Sequence, residues 1–201
     1  MASEISICNQ ALVYLGQKPI TNLLEPKTTV EQFCAQTYPP VRDACLQEAA
    51  WTFAQFEVEL ESTLAADWGG YRYPYDADWL VVLRAYRSIN VNGITQGRVQ
   101  ADWRKVGDWL ISPSDKLYVT GTYREKDPSK WSPAFQLLVA TRLAAEMAVG
   151  ITENRSLAAD LWSLFDVKLS QAMISDGIQG RNEIMEARKL VDARSGNGGY
   201  R

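Results

Sequence analysis

The chain of 201 residues is predicted to be an α+β protein: a helical bundle built from its two ends, with an inserted antiparallel β sandwich or barrel-like domain. Three observations predict this class. Near both ends, apolar residues recur at spacings of three and four, which is typical of amphipathic helices. In the middle they alternate with polar residues, which is typical of strands. Neither helical end can bury its apolar face alone, so the two ends should pack together.

These patterns place the bundle in residues 1–50 and 131–194, the β domain in 51–130 and a flexible tail in 195–201. The first helix, near residues 4–15, should begin at Ser3 and stop at a left-handed Gly16.

The second predicted helix spans about residues 30–49 and follows Thr28 or Thr29, either of which can cap it. Pro39 and Pro40 lie inside it. Because proline removes a helical hydrogen bond, they predict a bend or two shorter helices.

The β domain is predicted from period-two alternation that begins at Phe56, Val58 and Leu60. Asn92-Gly93 should form a tight hairpin turn, since both positions tolerate positive φ. The expected strands span residues 56–61, 80–89, 95–99, 103–106, 109–111 and 117–123.

The later helices are predicted from start and stop residues. Ser132 should cap a helix that has Pro133 in its first turn and ends at Gly150. A long helix should start near Ser156 and weaken at its glycines. An amphipathic segment, residues 182–191, should precede the tail.

The composition excludes several classes of site. Histidine is absent, which removes Ser-His and Cys-His nucleophile pairs and His-ligated zinc. Cys8, Cys34 and Cys45 lie at helical spacing among apolar residues and should be buried free thiols. A net charge of −3 disfavours tight binding to DNA phosphates. We therefore expect no enzymatic activity, no catalytic or metal-binding residues and no cofactor.

We also expect no membrane-spanning segment and no secretory signal. No uninterrupted apolar run approaches the roughly 20 residues that a spanning helix needs. The first four residues have no basic region ahead of an apolar stretch.

Aromatic residues supply the candidate interface. Trp68, Tyr71, Tyr73 and Tyr75 fall in a Gly- and Pro-rich stretch that we interpret as a loop. Tyrosine and tryptophan are enriched in protein interfaces. Local core packing and stacking on a carbohydrate or a single strand are the alternatives.

The tail contributes two more candidate interface residues, because it ends in Tyr200-Arg201 after a glycine-rich stretch. We expect the tail to be disordered in the free subunit and to become ordered against a partner.

A further alternative rests on three carboxylates. Asp67, Asp76 and Asp78 lie close enough in sequence to serve a metal-dependent hydrolase. Turn-forming, solvated side chains are the simpler interpretation of these aspartates.

The chain resembles the tail tubular protein A family, the head-to-tail adaptors of short-tailed bacteriophages. The residues that carry the resemblance form four blocks: Ile7, Asn9, Ala11, Leu12, Leu15, Gly16, Pro19, Ile20 and Leu23; Tyr38-Pro39, Arg42-Asp43, Leu46 and Trp51-Thr52-Phe53; Tyr73-Pro74, Asp76 and Leu80; and Asp127-Pro128, Trp131, Pro133-Ala134-Phe135, Leu143-Ala144 and Glu146.

The resemblance implies a non-enzymatic virion protein of the tail, assembled in the bacterial cytoplasm. It implies a homo-oligomeric ring of twelve copies that joins the portal protein to the tail nozzle, tail tubular protein B, with tail fibres as a further partner. DNA would pass through the ring without sequence-specific binding. A carbohydrate-binding tail or capsid decoration module is the alternative from another class.

Overall fold

The predicted α+β class is confirmed in the computed structural model, which describes residues 2–62, 64–66, 70–91 and 94–180. Two helices come first, then eight strands in the described residues, then two more helices. The four α-helices are α1 Glu4–Tyr14, α2 Thr29–Gln47, α3 Pro133–Thr152 and α4 Arg155–Gly180.

The ends of α1 follow the local signals in the sequence. The Ser3 hydroxyl accepts a hydrogen bond from the Ser6 backbone N–H at 3.1 Å, and the Ser6 hydroxyl accepts one from the Ser3 N–H at 2.8 Å. At the other end Gly16 has φ +65°. The Gln17 N–H then reaches back to the Leu12 carbonyl at 2.9 Å, which completes a Schellman stop.

The helix α2 begins after Thr28, as predicted, but it is not divided at its prolines. Pro39 and Pro40 are both exposed. The carbonyls that they leave unpaired one turn earlier therefore lie on the solvent side. Meanwhile Tyr38 and Val41 stay buried on the opposite side. Of the two predicted outcomes, a bend or two shorter helices, the second is wrong: α2 is continuous from Thr29 to Gln47, and burial of this face stabilises it across the prolines.

The start of α3 is confirmed, with the Ser132 hydroxyl accepting from the Phe135 N–H at 3.3 Å. Its predicted end at Gly150 is wrong. The helix continues to Thr152 and stops at Glu153, whose φ is +54°. Gly150 instead provides space, because an added Cβ would lie 3.2 Å from the Phe33 ring of α2.

The helix α3 is long and apolar enough to cross a membrane by length and composition, with a mean hydropathy of 1.4 in its most apolar window. More than half of that window is buried inside the bundle. Ten of its residues, among them Phe135, Leu138 and Leu143, are buried against the other helices. Its hydropathy is thus accounted for by its position as the central helix of the core.

The bundle core is organised around α3, which packs against α1, α2 and α4, whereas α1 and α2 touch each other little. Cys8, Cys34 and Cys45 are all buried and free, as predicted. The Cys34 thiol lies 3.9 Å from the sulfur of Met147 on α3.

The middle of the chain folds into two four-stranded antiparallel sheets, ordered β1-β8-β4-β5 and β2-β3-β7-β6. The bounds are β1 Gln55–Glu61, β2 Leu64–Ala66, β3 Gly70–Pro74, β4 Trp79–Val91, β5 Ile94–Gln100, β6 Arg104–Val106, β7 Trp109–Ser112 and β8 Lys116–Tyr123. Short 3-10 helices, Thr52–Ala54 and Pro128–Lys130, join this β unit to the bundle.

All six predicted strands are present, and two further strands, β2 and β3, were not predicted. The predicted turn Asn92-Gly93 lies outside the described residues, but the strands on either side pair as a hairpin, with Val91 opposite Ile94. The predicted segment 182–191 and tail 195–201 also lie outside the described residues.

The β unit has a core of its own between the two sheets, which includes Tyr73, Leu110, Leu117 and Val119. Among the described glycines, Gly121 of β8 has the least space for a side chain. A Cβ added there would lie 2.2 Å from the Val81 carbonyl oxygen and 2.9 Å from the Phe56 ring.

Candidate functional site: the junction and the surfaces around it

The junction between the bundle and the β unit contains a cluster of four aromatic side chains. Trp51, Phe53, Trp131 and Phe135 come from the two connections and from α3, and the Trp51 and Trp131 rings lie 4.9 and 5.1 Å from the ring of Phe135. Phe53 lies 5.0 Å from the same ring. Aromatic pairs at these separations stabilise packing beyond the area that they bury.

Both tryptophans of this cluster are also fixed by hydrogen bonds to the backbone. The Trp51 indole N–H donates to the Cys45 carbonyl at 2.9 Å, and the Trp131 indole N–H donates to the Glu125 carbonyl at 3.2 Å. The two chain crossings between bundle and β unit are therefore tied to one buried point.

A chain of ion pairs bridges the same junction on its partly exposed side. Arg124, directly after β8, binds Asp43 of α2 at 2.8 Å and Asp78 at 2.9 Å. Asp43 also binds Arg42 at 2.8 Å. The Asp43 carboxylate raises the pKa of Arg124, and hydrogen bonds from Lys126 and Arg124 lower the pKa of Asp78. These pairs fix the orientation of the β unit on α2.

Two buried carboxylates complete the junction, and neither was predicted from the sequence. Asp176 of α4 accepts from the Thr52 backbone N–H at 2.9 Å and from its hydroxyl at 2.8 Å. Glu125 accepts from the Tyr123 hydroxyl at 2.6 Å and from Lys130 at 2.9 Å. Burial acts to raise the pKa of Glu125, but these hydrogen bonds outweigh it and lower the pKa.

The aromatic stretch is not the loop that was expected: β3 runs through it, with Tyr71, Tyr73 and Tyr75 at or next to the strand. The stretch pairs with β7 and with β2, so the loop interpretation was wrong for residues 70–74. Short length together with Gly70 and Pro74 hid the strand, because both residues usually mark turns.

The three tyrosines differ in exposure. Tyr73 is fully buried, and its hydroxyl donates to the Ser114 carbonyl. It belongs to the core and cannot be a surface contact in this fold. Tyr71 and Tyr75 are half-buried. The Tyr75 hydroxyl donates to the Trp79 carbonyl at 2.9 Å, and Lys105 lies 3.5 Å from its ring centre.

The remaining candidate interface residues, Trp68, Tyr200 and Arg201, lie outside the described residues. So does Asp67 of the alternative carboxylate site. Asp76 accepts from the Asp78 N–H at 2.8 Å in a turn, while the Asp78 carboxylate binds Arg124 and Lys126. Within the described ranges, no group of three or more carboxylates and thiols could hold a metal ion.

A groove of about 700 Å³ is lined by residues of both sheets and of the loops that join them. Its walls combine aromatic rings with charges of both signs: Tyr71, Tyr118, Arg87, Lys116, Asp102 and Asp115. The pairing of β8 with β4 extends only to Tyr118 opposite Tyr86, whereas β4 continues its pairing with β5 to Val91. The groove therefore lies beside a stretch of β4 that β8 does not cover.

No protein-family model matches this chain, and no curated protein shows significant similarity to it.

Proposed function

We propose that the chain is a ring-forming head-to-tail adaptor of a short-tailed bacteriophage, a structural subunit with no enzymatic role. The observation that carries the proposal is that several residues of the family resemblance lie together at the junction between the bundle and the β unit. Arg42-Asp43, Trp51-Thr52-Phe53, Trp131 and Phe135 come from separate blocks of the sequence, yet all contribute to the junction.

A junction held in this way suits a subunit that must transmit force. Its aromatic cluster is mostly buried, its ion pairs link α2 through Arg124 to the end of β8 and to Asp78 just before β4, and Asp176 ties the first crossing to α4. In the proposed assembly the four helices form the wall of a twelve-membered ring. The β units project from it towards the neighbouring subunits and the tail nozzle.

The charge of the chain supports a role as the lining of a DNA channel. Its net charge is −3, and a mildly acidic wall repels the phosphate backbone rather than retaining it. DNA would then pass along the ring during ejection without sequence-specific contacts.

Imaging of the purified protein, alone and mixed with a portal ring from the same genome, tests the proposal. We expect rings of twelve subunits on the portal, seen in negative stain and confirmed by native mass spectrometry. If the chain stays unattached when it is mixed with the portal ring at high concentration, the adaptor role is wrong.

A truncated chain sharpens this experiment. Deleting residues 195–201 should leave the folding of the free subunit unchanged and weaken attachment to the portal, because the Tyr200-Arg201 tip supplies common interface residues. Unchanged attachment by the truncated chain would contradict the role assigned to the tail.

The groove beside β4 favours a second candidate function, a carbohydrate-binding module. Tyrosine rings next to donors and acceptors of both signs can hold a polar sugar chain, and a groove of about 700 Å³ can accommodate two or more sugar units. Titration with bacterial surface oligosaccharides tests this candidate. Binding that is lost in Tyr118→Ala would favour it, and no binding by the native chain would exclude it for those sugars.

A further inference from the structure

Three sulfur-containing side chains come together in the bundle core, one from each of α1, α2 and α3. Cys8 lies on α1, Cys34 on α2 and Met147 on α3. The Cys34 thiol lies 3.9 Å from the Met147 thioether. A hydrogen bond between the two thiols raises the pKa of Cys8 and lowers that of Cys34. Cys34 thus contacts a sulfur atom from each of the other two helices. We call these three side chains the sulfur cluster.

The sulfur cluster is closed off from solvent. Cys8 and Cys34 are fully buried, and Met147 is 2% exposed. Buried cysteine and methionine usually pack as apolar side chains, which accounts for their burial. It does not account for the meeting of three sulfur atoms from three helices, or for the unpaired polar group that lies beside them.

That polar group is the hydroxyl of Tyr38, one turn of α2 beyond Cys34. Tyr38 is 2% exposed, yet its hydroxyl has no hydrogen-bond partner in the described part of the chain. Burial, followed by nearby charges that include those of Glu4 and Cys8, raises the pKa of Tyr38. The hydroxyl therefore lies close to the sulfur cluster. An unpaired buried polar group is costly, and a bound ion is one reason for a protein to retain it.

The spacing of the sulfur atoms suits a metal ion with three ligands. The measured edge of the cluster is the 3.9 Å between the sulfurs of Cys34 and Met147. The corners of a triangle with edges of this length lie about 2.3 Å from its centre, which is the length of a bond between a thiolate and a metal ion. An ion can therefore enter the cluster with little movement of the helices. Metal sites in helical bundles are built in this way, from side chains on facing helices.

The donor atoms select a soft, monovalent ion. Thiolate and thioether sulfurs favour Cu(I), whereas structural zinc sites use four ligands and no thioether. A monovalent ion also suits the charge of a dry core. When Cu⁺ binds, one thiol proton leaves for solvent, so the ion replaces a proton of equal charge and the site stays neutral. The Tyr38 hydroxyl can then donate to a ligating sulfur, as the outer partners of metal ligands do.

We propose that Cys8, Cys34 and Met147 form a buried binding site for Cu(I), with the Tyr38 hydroxyl as a hydrogen-bond donor to a ligating sulfur. The ion has a structural role: it ties α1 and α2, which contact each other little, to α3 and to each other. The expectation of no metal-binding residues rested on histidine, carboxylates and four-thiolate sites, and the thioether of Met147 lies outside it. This inference is independent of the adaptor role and goes beyond it.

Anaerobic titration of the full chain with Cu(I), in competition with a coloured Cu(I) chelator, tests the proposal. Native mass spectrometry should show one copper ion per folded chain. Cys8→Ala and Cys34→Ala should each weaken binding by about 100-fold or more, since losing a ligand costs more affinity than losing an outer partner. Cys45→Ala, which removes the other buried thiol of the bundle, should bind as the native chain does. A native chain that retains no copper, or equal weakening by Cys45→Ala, would overturn the proposal.

Two conservative variants separate a metal site from ordinary core packing. Met147→Leu keeps the volume and removes the thioether, so it should change the stability of the metal-free chain little and weaken copper binding by about 10-fold or more. Tyr38→Phe removes an unpaired hydroxyl, so the metal-free chain should be as stable as the native chain or more so. Its affinity for copper should nevertheless fall by about 10-fold. Copper affinity that is unchanged in both variants would overturn the proposal.

Thermal unfolding separates the folded site from binding to loose thiols. An ion that binds the folded chain raises the midpoint of unfolding, whereas an ion that prefers the thiols of the unfolded chain lowers it. We expect Cu(I) to raise the midpoint of the native chain, and a lowered midpoint would overturn the proposal. Rings on the portal without copper binding refute the metal site and leave the adaptor role standing. Copper binding without rings does the reverse.

Discussion

Replacing Gly121 with alanine should destabilise the β unit by about 2–4 kcal/mol, because the added methyl group has no space in β8. Its carbon would lie 2.2 Å from the Val81 carbonyl oxygen on β4 and 2.9 Å from the Phe56 ring on β1. The glycine thus leaves room in β8 for the Val81 carbonyl on one side and for the Phe56 ring on the other.

The size of this loss of stability follows from the distance by which the added Cβ and the Val81 oxygen must move apart. Cβ contacts shorter than 3.0 Å are essentially never found in proteins, so the Val81 oxygen or β8 must move by at least 3.0 − 2.2 = 0.8 Å. A carbonyl in a sheet cannot move that far without weakening its ladder hydrogen bond, which costs about 1 kcal/mol. Overpacking against the Phe56 ring adds about 1–3 kcal/mol.

Urea unfolding followed by tryptophan fluorescence and circular dichroism measures this change. Gly97→Ala is the matched control: it lies in β5 of the same sheet, and a Cβ there meets nothing within 4 Å. It should change the free energy of unfolding by less than about 1 kcal/mol, since glycine-to-alanine changes without strain act mainly on the unfolded chain. Equal stability of the Gly121 and Gly97 variants would refute the close packing described at β8.

Three further changes test the junction and the two cores. Glu125→Gln should lower stability at neutral pH by about 1–3 kcal/mol, because the hydrogen bonds to Glu125 are made to its charged form. Since the pKa of Glu125 is lowered by folding, its contribution is present above the ordinary glutamate pKa of about 4.3 and is lost as the pH falls through the folded value. A gap between native and variant that does not narrow as the solution is made more acidic would contradict this. Cys45→Ser should lower the free energy of unfolding by about 1–3 kcal/mol in chemical denaturation, because it places a hydroxyl in a fully buried site. Burial also raises the pKa of the Cys45 thiol to about 12, so native Cys45 should react slowly with thiol reagents. Rapid labelling of the folded chain would contradict its burial. Tyr73→Ser should unfold the β unit, whereas Tyr73→Phe loses only the hydrogen bond to Ser114 and should lower the free energy of unfolding by about 1–2 kcal/mol. Similar losses of stability in the two variants would contradict a core role for this ring.

The parts of the fold that were predictable from sequence depend on local signals. Ser3, Gly16 and Ser132 mark helix ends through contacts within five residues, so their roles can be read from short windows. The strand β3 could not be predicted from such local signals, because it is short and bounded by Gly70 and Pro74. Its inward-pointing tyrosine was therefore assigned to a loop.

The junction could not be derived from periodicity, because its contacts join distant parts of the chain. Arg124 and Asp43 are separated by 81 residues, and Thr52 and Asp176 by 124. Polar residues at strand and helix ends normally indicate solvent exposure, and nothing local distinguishes Asp176 from its exposed neighbours on α4. Only the fold shows that this carboxylate is buried against the first crossing.

The position of α3 at the centre of the bundle has a consequence for synthesis on the ribosome. The helices α1 and α2 contact each other little and pack mainly on α3, which ends at Thr152. Until that residue has emerged, the apolar faces of the first two helices have no partner, while the β unit that follows them can already form its own core. Nascent chains from which α3 has not yet emerged should therefore recruit chaperones that bind exposed apolar helices, and release them once α3 docks.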